Sequence, residues 1–149
     1  MVFRIILISV FFLGSVLSSF GQNGIEAGIR IGNSPGRSPG VGIDGTMGLS
    51  AHTRMHPSFY WLNNGIGVGL YLDRLFDFGK RFRLYPGIGP EFYFDQNFEM
   101  GIAANMGFEY AFEFPITFGF DYRPSFTFVN RTDLYTENWG FTLRYRLKD

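Results

Sequence analysis

Between Asn97 and Phe128 the sequence NFEMGIAANMGFEYAFEFPITFGFDYRPSFTF splits into two lanes of unequal chemistry. Every second residue from Phe98 is apolar: Phe98, Met100, Ile102, Ala104, Met106, Phe108, Tyr110 and Phe112. The residues between them are small or polar: Glu99, Gly101, Ala103, Asn105, Gly107, Glu109 and Ala111. After a break at Glu113 and Phe114 the alternation resumes. Ile116, Phe118, Phe120, Tyr122, Pro124, Phe126 and Phe128 share one lane, and Thr117, Gly119, Asp121, Arg123, Ser125 and Thr127 the other. A period of two over this length means β-strands, because successive side chains on a strand point to opposite faces. Two such runs joined by a short turn form a hairpin. A soluble half-buried sheet would put aliphatics in its core and charges in water. Here the lane of acids, arginine and glycine is too small and too charged to be an oil-like core. The pattern fits a barrel whose outer face meets lipid and whose interior is polar.

The N-terminus carries an export signal. Met1 to Arg4 holds one positive charge, Ile5 to Leu17 is an apolar run broken by Ser9, Gly14 and Ser15, and Ser19 and Gly21 are small residues at the exit. The run is shorter than the roughly 20 residues a spanning helix needs, so it reads as a cleaved signal peptide, residues 1–21. The mature domain is then 22–149, exported to the cell outer membrane. Removing the signal removes Arg4 and no acid, which leaves a formal charge of −1. No clustered basic surface points to nucleic acid. There is no cysteine, so an exported domain of this size must be held without disulfides; a closed barrel does this by pairing every backbone group.

The same two lanes run through eight predicted strands: 24–32, 41–50, 54–61, 66–73, 81–94, 98–112, 116–128 and 140–148. An even number is the rule for single-chain bacterial barrels. The outward lanes so drawn contain no charge. The inward lanes hold Glu26, Asp44, Asp73, Glu91, Glu99, Glu109 and Asp121 with Arg30, Arg54, Arg83, Arg123, Arg144 and Arg146. A charge facing lipid costs about 2–4 kcal/mol at mid-membrane, which explains such segregation. With both ends of the mature chain in the periplasm, the outer loops are 33–40, 62–65, 95–97 and 129–139, and the inner turns 51–53, 77–80 and 113–114. Trp61, Phe94, Tyr135 and Trp139 fall near outer ends, where an aromatic girdle belongs. Pro57, Pro86, Pro90 and Pro124 lie inside strand patterns and cannot donate to a ladder. Bulges or bends are expected there, or an interruption of the fifth strand near Pro86.

The whole mature chain resembles the small eight-stranded outer-membrane barrels of the OmpA/OmpX type, and more closely the short porin-like barrels of unassigned function. The resemblance rests on GIDG (Gly42–Gly45), PGIGPEFYF (Pro86–Phe94), PITFGFDYRPSF (Pro115–Phe126) and GFTLRYRL (Gly140–Leu147). It implies an all-β, antiparallel up-and-down transmembrane barrel in a Gram-negative cell envelope, whose partners are outer-membrane lipid and the barrel assembly machinery. Barrels of this type usually finish on an aromatic residue; here Tyr145 is the last aromatic before Leu147-Lys148-Asp149.

The sequence carries no catalytic signature. His52 and His56 with Asp44 and Ser58 have the residue types of an acyl-transfer site, but no G-x-S-x-G elbow is present, and two histidines do not make a metal site. Polar interior or rim histidines are the plainer reading, so neither a catalytic residue, a cofactor nor a metal is assigned. The acid and arginine lane has two readings. Paired charges fill an eight-stranded barrel too narrow for a wide pore, giving a structural or surface-presenting protein. Alternatively the inward glycines, Gly67, Gly69, Gly87, Gly89, Gly101 and Gly107, leave a narrow pore or a seat for a small solute. Near-balanced charge favours mutual neutralisation over a selective field.

Overall fold

The computed structural model describes residues 24–34 and 37–148; the predicted signal segment lies outside the described residues. The described chain folds into strands β1 (Ile25–Ser34), β2 (Arg37–Ser50), β3 (Thr53–Leu62), β4 (Gly65–Arg74), β5 (Phe76–Phe78), β6 (Phe82–Phe94), β7 (Phe98–Ala111), β8 (Ile116–Tyr122), β9 (Ser125–Val129), β10 (Asp133–Tyr135) and β11 (Trp139–Lys148). They build the eight staves of one closed antiparallel barrel. Neighbours pair in the order β1, β2, β3, β4, β6, β7, β8, β11, and β11 pairs back with β1 through Glu26↔Arg146 to Gly32↔Gly140. The pairing register advances by about ten residues in one circuit. That stagger tilts the staves around an interior just wide enough for side chains.

Two staves are each made of two strands. β5 prolongs β4 against β6 in one register, from Ile66↔Phe94 through Asp73↔Gly87 to Phe78↔Phe82. β9 prolongs β8 against β7 in the same way. The prolines account for the breaks, though not as expected from the sequence. β6 runs unbroken through Pro86 and Pro90, paired with β7 at every residue from Phe82↔Tyr110 to Phe94↔Phe98. On its other side Pro86 stands opposite Arg74, and Pro90 opposite Leu70, without a pairing. The neighbour is the strand that is interrupted, at Leu75. Pro57 pairs with Leu70 on β4 but stands at a gap in the ladder to β2. In an antiparallel strand each residue's N–H and C=O point to the same neighbour. A proline therefore weakens one ladder and spares the other, and register survives without a bulge. Pro124 separates β8 from β9, yet its carbonyl still accepts from the Ala104 N–H at 2.9 Å.

Two predicted loops contain strand. The NSPGRSPG segment continues β1 to Ser34 and starts β2 at Arg37, with Ser34↔Arg37 paired after a register shift. Within 129–139, β10 pairs with β9 from Asp133↔Thr127 to Tyr135↔Ser125. At the opposite end the turns are short; one lies at Gly79, whose φ of 76° suits glycine. We call the two ends the short-turn end and the loop end.

The outward lane is an exposed apolar surface. Ile29, Ile43, Leu70, Ile88, Ile102, Phe118, Phe141 and Leu143 are all exposed, while the inward lane is almost fully buried. Aromatic rings meet across β6, β7, β8 and β11: Phe82 stacks on Phe108, Phe108 lies tilted to Phe120, and Phe118 stacks on Phe141. The burial of an ordinary globular domain is reversed here, because the buried residues are chiefly polar and charged.

Candidate functional site

The interior is a network of ion pairs and hydrogen bonds in three tiers. At the short-turn end, Glu109 on β7 accepts from Arg54 on β3 at 2.8 Å, from Arg83 on β6 at 2.8 Å and from Arg144 on β11. Arg144 also bonds Glu26 on β1 at 3.0 Å, and Thr117 donates to the other Glu26 oxygen at 2.9 Å. Arg146 sits at the mouth, where its guanidinium donates to the carbonyls of Phe112 and Phe114.

The middle tier centres on Asp44 and Arg123. Asp44 meets Arg144 at 2.9 Å, Arg123 at 3.1 Å and His56 Nε2 at 2.9 Å. The other ring nitrogen of His56 lies 2.6 Å from Asp73, which also accepts from Arg54 at 3.1 Å and Asn105 at 2.7 Å. Arg123 spreads its donors over Asp44, Asp121 at 3.0 Å, Asn105 at 3.0 Å and Ser58 at 2.7 Å. The Ser58 hydroxyl donates to Asp44 and not to His56, so the four residues do not line up as nucleophile, base and orienting acid. His56 is fully buried, whereas His52 is exposed on a turn, 3.9 Å from Asp77.

Towards the loop end Arg30 bonds Asp121 at 2.7 Å and Asn138 at 3.1 Å. Glu91 takes hydrogen bonds from three tyrosine hydroxyls instead of a cation: Tyr60 at 3.0 Å, Tyr93 at 2.5 Å and Tyr71. Glu99 is buried nearby on the lane of Tyr93, its cross-strand partner.

Of the interior residues named from the sequence, Glu26, Arg30, Asp44, Asp73, Glu91, Glu99, Glu109, Asp121, Arg123 and Arg144 are buried; Arg83 keeps 27% side-chain exposure. Trp61, Phe94 and Trp139 stand exposed on the outward lane. Tyr135 does not join them. It pairs with buried Ser125 on the inward lane, and Leu134 takes the outward position. The period-two pattern cannot be extended into β10 by counting, because Asn130 interrupts it with φ 62°.

Sequence reasoning missed the tyrosine clamp on Glu91 and the linking roles of Asn105, Asn138 and Ser58. The signal for the clamp is the pairing of inward glycines with inward tyrosines. A Cβ on Gly67 would lie 2.5 Å from the Tyr60 ring, one on Gly69 2.3 Å from the Tyr71 hydroxyl, and one on Gly107 2.5 Å from Tyr85. These glycines leave no open channel, because the rings fill the space they vacate. Gly69→Val is expected to lose about 1–3 kcal/mol, the cost of overpacking a full interior, read as a lower urea midpoint.

A cavity of about 400 Å³ opens at the short-turn end, lined by Lys80, Arg81, Arg83, Arg146, Asp77, Glu113, Ala111 and Phe112. Arg81 pairs with Glu113 across its rim, a bond that holds the Arg81 guanidinium above its ordinary pKa.

No protein-family model matches the sequence, and no curated protein matches it. Among solved structures the chain is similar to a de novo designed protein, TMB2.3, determined by NMR in solution. The two share 14% identity at a TM-score of 0.63, over 86% of this chain and 98% of that one. The similarity is one of fold: a closed, eight-stranded antiparallel β-barrel.

Proposed function

We propose that this protein is an integral outer-membrane β-barrel with a structural or surface-presenting role and no catalysis. The observation that carries this reading is the inverted wall. Exposed apolar side chains surround the barrel, and paired charges occupy the inside. In water, so large an apolar surface is an association hazard; in a bilayer it meets hydrocarbon, and closure leaves no lipid-facing edge. The designed protein TMB2.3 shares this closed-barrel fold. Lipid and the barrel assembly machinery are then the partners of the chain, and the export signal is its route.

The interior bears on pore activity. Arg123, Arg144, Tyr60, Tyr71 and Tyr85 are fully buried and span the lumen. The expected result in a planar bilayer is no stepwise conductance from a barrel that shows a heat-dependent band shift on SDS gels. Steady unit conductance would favour the second reading, a solute-binding or conducting barrel, for which the short-turn cavity with its four cations and two acids would be the vestibule. A soluble periplasmic band without a shift would overturn both.

A further inference from the structure

Among the side chains described, Arg74 is the charged one on the outward lane of the strands. β4 alternates Leu70 and Leu72 outward with Tyr71 and Asp73 inward, and Arg74 follows outward, exposed, before the break at Leu75. The alternation read from Ile66 to Asp73 continues by one more outward residue, Arg74. Among the described residues Arg74 makes one long hydrogen bond, to the Thr53 hydroxyl at 3.5 Å, and joins no ion pair. A guanidinium facing lipid is tolerated only near the interface, and Arg74 stands at the short-turn end of the apolar band.

The wall beside it is open. Pro86 stands opposite Arg74 without a pairing, and a groove of about 380 Å³ runs there, lined by Leu72, Arg74, Pro86, Gly87, Ile88, Thr53 and Asp73. Apart from Arg74 and the Thr53 hydroxyl, its one polar side chain is that of Asp73, which points inward. That carboxylate is fully buried against His56, Arg54 and Asn105, so it is not turned toward a ligand in the groove. An apolar trough with one unpaired guanidinium at its end matches an acyl chain attached to a phosphate.

We infer that Arg74 and the Pro86 groove form a phospholipid seat on the outer wall, with the headgroup phosphate on Arg74 and an acyl chain over Leu72, Pro86 and Ile88. The inference rests on the membrane reading above. Guanidinium and phosphate form a charge-assisted, bidentate pair, while Leu72, Pro86 and Ile88 give the groove an apolar lining for the chain. The occupant is thus a lipid of the adjoining leaflet and not free phosphate, which gains nothing from the trough.

The test is native mass spectrometry of the barrel released from micelles doped with phosphatidylglycerol, with diacylglycerol or with inorganic phosphate. Wild type is expected to retain one phosphatidylglycerol, and neither diacylglycerol nor phosphate. Arg74→Gln should weaken retention about tenfold, equivalent to 1.4 kcal/mol, and Arg74→Lys should keep part of it. Equal retention by Arg74→Gln, or diacylglycerol held as firmly as phosphatidylglycerol, overturns the seat. Heat-shifted mobility on SDS gels confirms that each variant is folded. Should Arg74→Gln not refold, the wild-type competition among the three probes decides alone. Loss of the heat shift in wild type would be failure of the membrane reading; an intact shift without lipid selectivity would be failure of the seat alone.

Discussion

Arg123→Met is expected to cost about 3–5 kcal/mol of folding free energy, the loss seen when one partner of a buried ion pair is removed. The guanidinium is fully buried and bonds four residues on four staves, Asp44, Asp121, Asn105 and Ser58. It also lies 4.8 Å above the Tyr71 ring. Methionine fills similar volume but leaves two carboxylates short of a donor in a site water cannot reach. The measurement is urea unfolding of the barrel in micelles, followed by tryptophan fluorescence. A second variant separates charge from packing: Arg123→Lys keeps the positive charge but not the forked donors, and should lose less than Arg123→Met. A loss below about 1 kcal/mol would mean that the network contributes no more than an exposed pair does.

The second large effect tests the outer face. Leu143→Arg is expected to lower stability in vesicles by about 2–4 kcal/mol and Leu147→Arg by about 0–1, the depth dependence of a lipid-facing arginine. Leu143 lies mid-strand, paired with Ile29 and Phe118, while Leu147 lies near the end of β11; both are exposed. In water neither substitution would matter, since both side chains already face solvent. The contrast between the two positions therefore reports on the surroundings of the wall and not on the fold. Equal and negligible losses would sink the membrane setting and leave the barrel intact.

The alternation of Phe98 to Phe112 was enough to read strands, faces and the outward apolar lane, because a period of two is a local property of the chain. Strand count followed for the same reason. What counting could not supply is register. The clamp of Tyr60, Tyr71 and Tyr93 on Glu91 joins β3, β4 and β6, and the seat of His56 between Asp44 and Asp73 joins β3 to both its neighbours. Each depends on how far one strand slides along the next, which turn chemistry and side-chain fit decide together. The prolines make the same point. Pro86 looks like a strand breaker in sequence, yet only its orientation toward β4 decides which ladder loses a bond. Arg74 continues the alternation of β4 past Asp73, where the pattern alone sets no end to the strand.

The seam between β1 and β11 has a consequence for how the protein is made. Glu26 finds its partner in Arg146, and Ile31 in Phe141, so the first of the described strands waits for the last. Until that moment the growing sheet has two raw margins of unpaired N–H and C=O groups beside an apolar face. A ribosome-bound fragment cannot reach the native topology by adding staves one at a time. Closure of the seam, which removes those margins, is therefore the final step of folding.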